Sequence, residues 1–157
     1  MKVVFRVVGR TSDKYLQEGT AQFTKRLGHY LPFDYEVIPD IRKAGRLSPE
    51  QLRQREGEAI LQRLDPADHL VLLDERGKSF TSEQFAHWLE HRLQLSARRL
   101  VFQVGGAYGF APEVYQRAQA KLALSTMTFS HQMVRLFFLE QLYHAMTILR
   151  NEPYHNR

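Results

Sequence analysis

Cysteine is absent from the 157 residues. That excludes disulfides, thiolate metal sites, iron–sulfur clusters and cysteine nucleophiles together. Long hydrophobic runs are also missing: no stretch approaches the ~18 apolar residues that cross a bilayer. The opening MKVVFRVVGR lacks signal-peptide form, because Arg6 breaks the apolar stretch and no small-residue cleavage site follows. A cytoplasmic protein with no membrane partner is therefore expected. There are no repeats, low-complexity tracts or Pro/Gly/Ser-rich linkers, so residues 1–157 read as a single domain. A chain of this size buries roughly 70% of its unfolded surface and needs no staples. Acidic residues are outnumbered, 17 against 22 Lys and Arg, for a net charge of +5. That balance is compatible with a nucleic-acid partner.

What is present alternates. KVVFRVV at 2–8 is β-branched and predicts a strand, ended by Gly9. Leu16, Phe23 and Leu27 have helical spacing over 12–27, with Gly28 as the C′ residue. Residues 33–38 predict a strand with one wetter face, and 39–47 a basic loop. Ser48-Pro49-Glu50-Gln51 is a capping box with proline at N1, opening a helix to about Leu64. HLVLLD (69–74) is a short apolar strand. Thr81-Ser82-Glu83-Gln84 starts a second boxed helix, to about Leu95. RLVFQVG (99–105) is a further strand, Pro112 opens a short helix, KLALS (121–125) is a strand and 131–149 the longest helix. The expectation is an α/β fold: a mainly parallel sheet with helices on both faces. Such sheets bind ligands beyond the carboxyl ends of their strands. The segments to read for chemistry are 74–80, 105–110 and 126–130.

Each carries a motif with two readings. Gly105-Gly106-Ala107-Tyr108-Gly109 suits close backbone approach to a ligand, or a plain tight turn. It is no dinucleotide fingerprint, since the third glycine spacing and the later acidic residue are missing. Gly77-Lys78-Ser79 is no P-loop, because Leu72 stands where the first glycine belongs. His87-Trp88-Leu89-Glu90-His91 spells an inverted zinc-protease pattern. Its three polar residues fall on a solvated helix face with no third ligand indicated, so no metal is expected. The run 124–135 joins hydroxyls to apolar groups. It suits an adenine held by loop backbone between Leu124, Met127 and Phe129, or a core connection capped by Ser130. In the tail, Tyr154, His155 and Arg157 either fray or meet a nucleotide.

The segments KVVFRVVGR…KYLQEGTAQFTKRL, LDERGKSFTSEQFA, VFQVGGAYGF, LSTMTFSHQMVRLFFLEQLYHA and NEPYH, in this order, resemble the RlmH (YbeA/OrfX) family of the SPOUT superfamily. The resemblance spans essentially the whole chain. It implies a deep trefoil knot in the C-terminal half, a homodimer, and S-adenosyl-L-methionine bound in the knot loops. Carried over residue by residue, it implies cofactor binding by Leu73, Gly105, Leu124, Ser125, Thr126, Met127, Thr128 and Phe129. It implies methyl transfer to N3 of a pseudouridine in 23S rRNA on assembled ribosomes. The sulfonium methyl is already electrophilic, so that chemistry calls for alignment and no metal. His155, with an imidazole pKa of about 6.5, suits removal of the N3 proton. Tyr154 suits stacking on or bonding the base, and Arg135 and Arg157 suit offsetting phosphate or developing charge. Asn156 stands where family members often carry a basic residue, which weakens the analogy for Arg157. The helix 131–149 is apolar over more than one stripe, as expected of a dimer contact or of deep burial within one subunit. A non-catalytic RNA- or ribosome-binding protein, or a related methyltransferase for another RNA, are the other readings that the residues leave open.

Overall fold

The computed structural model describes residues 1–154. Five strands form one sheet in which every neighbouring pair is parallel: β1 (Lys2–Val8), β2 (Phe33–Ile38), β3 (His69–Ser79), β4 (Arg99–Val104) and β5 (Ala120–Ala123), in the order β2-β1-β4-β3-β5. The inner strands are largely apolar where both faces are covered, over 3–8, 70–73 and 100–104. Val3, Phe5 and Val7 of β1 join Phe102 and Phe138 in one core, while Val4 and Val8 join Ile60, Leu70 and Val101 in the other. Helices α1 (Lys14–Leu27), α3 (Ser82–Leu93) and α5 (Met133–Leu149) contribute to the first core. Helices α2 (Pro49–Gln62) and α4 (Pro112–Arg117) contribute to the second. The expected α/β architecture with two covered faces is thus what the chain adopts.

Local signals position the elements. Ser48 Oγ accepts from the Gln51 amide at 3.1 Å while Gln51 Oε1 accepts from the Ser48 amide at 2.9 Å. Thr81 and Gln84 repeat the arrangement at 3.1 and 3.0 Å. Boundaries differ by a residue or two: α1 starts at Lys14, α2 ends at Gln62, α3 ends at Leu93 and α5 starts at Met133. Gly28 caps α1 at an ordinary right-handed φ of −59°, so no left-handed glycine is needed there. The larger difference is β3, which continues through the expected loop to Ser79.

At the amino end of the sheet, charge knits strands to loops. Asp68 is enclosed (2% exposed) and accepts from Arg99 Nε at 3.0 Å and Nη2 at 2.6 Å. Burial alone would raise its carboxyl pKa. Hydrogen bonds from Arg99 and from the Asp65 amide, with the charges of Arg99 and Arg6, outweigh burial and hold it below the ordinary carboxylate range. Asp68→Asn is expected to cost about 2–3 kcal/mol at neutral pH. The folded carboxyl titrates below the unfolded one, so the stabilisation is complete above about 3.9, the unfolded value. It is lost as pH falls through the lower, folded value. Urea denaturation of the two proteins from neutral pH into acid should show their stabilities converging. A gap that persists at the acid end would show that the ion pair is not its source.

Candidate functional site

The three segments at the carboxyl ends of β3, β4 and β5 meet around one cavity of about 490 Å³. On the β3 side, the register explains the shape. Leu73 and Lys78 both align with Leu122 of β5, so residues 74–77 form a bulge between two paired stretches. Gly77 makes this possible: a Cβ there would stand 2.6 Å from the Leu122 amide nitrogen and the Lys121 carbonyl carbon, both backbone atoms. Asp74 opens the bulge, with Oδ1 accepting from the Arg76 amide at 3.1 Å. Its Oδ2 is shielded from water and has no hydrogen-bond partner.

On the β4 side, Gly105-Gly106-Ala107-Tyr108-Gly109 is both a tight turn and a cavity wall. The Gly109 amide donates to the Gly106 carbonyl at 3.2 Å, and Gly109 takes a left-handed φ of 80°. A Cβ on Gly105 would meet the Phe110 ring at 3.2 Å, and one on Gly106 would meet the Glu56 carboxylate at 2.5 Å. The turn is therefore pressed between Phe110 and α2. Burial, then the charge of Asp40, raises the Glu56 pKa. On the β5 side, the loop bends on Ser125, whose Oγ accepts from the Met127 amide at 3.0 Å. It closes at Ser130, whose Oγ accepts from the Met133 amide at 3.0 Å, although the N-cap position of α5 falls at Gln132 and not at Ser130 as expected.

Of the residues singled out from the sequence, Leu73, Gly105, Leu124, Ser125, Met127, Thr128 and Phe129 line this cavity; Thr126 does not. Met127 and Phe129 are 74% and 42% exposed, so the loop offers apolar surface at the rim. Arg135 lies elsewhere. It is 0% exposed and donates to the carbonyls of Val8, Gly9 and His131 and to Thr11 Oγ1. Every guanidinium nitrogen is engaged, so no face is left for phosphate, and its geometry is that of a positioning residue. Tyr154 docks on α5, donating to Glu140 Oε1 at 3.1 Å with its ring edge-on to Tyr143. Up to that residue the tail is held and not frayed: the Glu152 amide donates to Thr147 and Tyr30 donates to Glu152. His155, Asn156 and Arg157 lie outside the described residues. The expected solvated face of α3 is present, with His87, Glu90 and His91 exposed, and no metal-binding group occurs among the described residues.

Three cavity residues had no role of their own in the sequence reading: Asp74 and His131, which lie in the marked segments 74–80 and 124–135, and Tyr115, which lies in none. Asp74 and Tyr115 are 41 positions apart (115 − 74), and only the fold joins them. Burial first, then the neighbouring Asp74, pushes the Tyr115 phenol up to about 12, so it stays protonated at neutral pH. His131 is lowered by burial and by the charge of Arg135, which leaves it a neutral imidazole in the cavity wall. Its signal was present in the run leading into α5, but nothing local marked it as lining. The arrangement joins apolar surface, turn backbone, one unsatisfied carboxylate oxygen and two neutral proton-bearing groups. That suits a ligand with a flat apolar part and several donors.

Gly77→Ala is expected to lose about 2 kcal/mol or more, because two backbone segments must separate to admit the methyl group. Urea denaturation checks this; unchanged stability would show that β3 and β5 do not approach so closely.

Residues 1–155 match the family described as "Predicted SPOUT methyltransferase". The chain is 54% identical to a protein of Parabacteroides distasonis named ribosomal RNA large subunit methyltransferase H, with 99% of each chain covered. Proteins of the same name from Phocaeicola vulgatus and Porphyromonas gingivalis are 52% and 50% identical, again over 99% of each chain. A family match over nearly all residues, relatives about half identical from end to end, and a parallel sheet with its cavity at the strand ends make this chain a member of the SPOUT methyltransferase family.

Proposed function

We propose that this chain transfers a methyl group from S-adenosylmethionine to N3 of a pseudouridine in 23S rRNA, on assembled ribosomes. The observation that carries the proposal is the convergence of 73–76, 104–110 and 122–131 on one cavity, in a chain matching a methyltransferase family throughout. The names of the relatives supply large-subunit rRNA as the substrate class. We read residues 1–157 as one domain acting in the cytoplasm. Among the described residues no helix is long and apolar enough to cross a membrane.

The cavity fits the methyl donor. Leu73, Leu124, Met127 and Phe129 supply apolar surface for a purine, and the backbone of 124–130 supplies groups for its edge. Asp74 Oδ2, enclosed and unpartnered, needs a donor, which a ribose hydroxyl or an ammonium group provides. When bound, S-adenosylmethionine supplies an electrophilic methyl carbon. The residues of the chain orient it, and alignment of that kind contributes several kcal/mol. The pyrimidine N3 must lose a proton, and His155 is the residue we assign to accept it. Tyr154, oriented through Glu140, immediately precedes it. Arg135 acts at a distance by holding the start of α5 against the end of β1. The homodimer and the trefoil knot belong to the same proposal. Support for a dimer contact comes from Phe137 of α5, 40% exposed, its ring tilted 44° to that of Phe129 with centroids 5.2 Å apart.

Gly105→Val should weaken S-adenosylmethionine binding in calorimetry by tenfold or more (about 1.4 kcal/mol) while the protein stays folded, because the added branches press on Phe110 and distort the turn. Unchanged affinity would make the turn a bystander. Radiolabelled methyl transfer to ribosomes, separated subunits and naked rRNA tests the reaction itself, and the signal is expected on ribosomes. His155→Ala should bind the donor normally and methylate poorly, with partial recovery at high pH as N3 ionises unaided. Full activity at subsaturating ribosomes would remove His155 from the mechanism.

A further inference from the structure

The carboxyl edge of the sheet carries a second feature that the cavity does not use. Arg10 leaves the end of β1, and the 39–47 loop leaves the end of β2. Arg10, Arg42, Lys43 and Arg46 are all exposed, and none has a side-chain hydrogen bond or ion pair among the described residues. The loop is shaped and not merely extended. A 3-10 turn spans Ala44–Arg46, and Lys43 enters it with a left-handed φ of 59°, a conformation few residues other than glycine adopt. Between positions 39 and 55 there are five cations, at 42, 43, 46, 53 and 55, against Asp40 and Glu50. That excess of three accounts for more than half of the net charge of +5.

The strip is joined to the cavity. Arg53 of α2 donates through Nη1 to the Tyr108 carbonyl at 3.4 Å. Tyr108 belongs to the turn that walls the cavity, and the residue is 53% exposed. Cations thus follow the carboxyl ends of β1 and β2, and Arg53 reaches the turn that carries an exposed aromatic at the cavity. Unpaired Arg and Lys in such a row suit phosphates, which fix position without reading sequence. An exposed ring beside them suits an unstacked base.

We propose that Arg10, Arg42, Lys43, Arg46 and Arg53 form the surface on which the phosphodiester backbone of the RNA substrate lies, with Tyr108 stacking on a base at the cavity mouth. The proposal rests on the reading that the substrate is RNA, and it names where on this chain that RNA is held.

The test is a full-length chain carrying Arg42→Glu, Lys43→Glu and Arg46→Glu, with the corresponding three Gln substitutions as a milder variant. The three side chains are exposed, so both variants should unfold with the native midpoint and bind S-adenosylmethionine with native affinity. KM for ribosomes should rise about tenfold or more in the Glu variant and less in the Gln variant, with turnover at saturation retained. Binding of a hairpin oligoribonucleotide copied from large-subunit rRNA should show a salt slope reduced by about two to three. An unchanged KM and an unchanged slope, beside an active wild type, would overturn the strip alone. A raised KM for ribosomes with unchanged hairpin binding would overturn it too, and would make the contact one with ribosomal protein. A wild type that binds the donor but methylates no rRNA would overturn the underlying reading instead.

Discussion

Arg135 sits one turn into α5 with its guanidinium enclosed, donating to the Val8 carbonyl at 2.8 Å and the Gly9 carbonyl at 2.7 Å. Among the described residues no carboxylate forms an ion pair with it. A cation near a helix amino terminus also opposes the helix dipole. Burial lowers its pKa, yet a guanidinium stays charged in any such setting. What offsets the burial is a ring of oxygen atoms, the Val8 and Gly9 carbonyls at the carboxyl end of β1, Thr11 Oγ1 and the His131 carbonyl of its own preceding turn, with Tyr35 and the charge of Asp40 acting the same way. Removing one partner of so enclosed a charge leaves the rest unsatisfied, which is why the geometry is unforgiving. The clamp joins the first strand to the last helix across more than 120 residues.

The cavity depends on that clamp. The 124–131 loop leaves β5, which is fixed by its pairing with β3, and enters α5, which is fixed by Arg135. Both ends of the loop are therefore held, and its short internal bonds at Ser125 and Ser130 shape what lies between. Glycines supply the remaining clearance. Gly9 takes a left-handed φ of 78° where β1 turns toward Arg135, and Gly77 lets β3 and β5 approach backbone to backbone. Packing, pairing and these short bonds set the course of the cavity wall.

Much of this was readable locally. Both capping boxes announced themselves, because their hydrogen bonds join residues three apart. The two-sided apolar strands implied a covered parallel sheet, and the strand-end rule then singled out the segments that do converge. The extension of β3 was not readable. Residues 75–79 hold charged and polar groups around Gly77, and Lys78 and Ser79 pair through backbone groups that leave no mark on hydropathy. Arg135 looked like a group for RNA because sequence records its charge and not its enclosure. Asp74 and Tyr115 meet only through the crossover between β4 and β5. Long-range partners, buried charge and backbone pairing are the three kinds of information that periodicity does not carry.

The claim that most needs testing is that the strand-end cavity holds the methyl donor. The direct measurement is a crystal structure of the full chain grown with S-adenosylmethionine. The account predicts ligand density between Leu73, Gly105 and the 124–129 loop, with a donor group of the ligand on Asp74 Oδ2. Ligand bound elsewhere, or an empty cavity at millimolar S-adenosylmethionine with Asp74 still unpartnered, would contradict it.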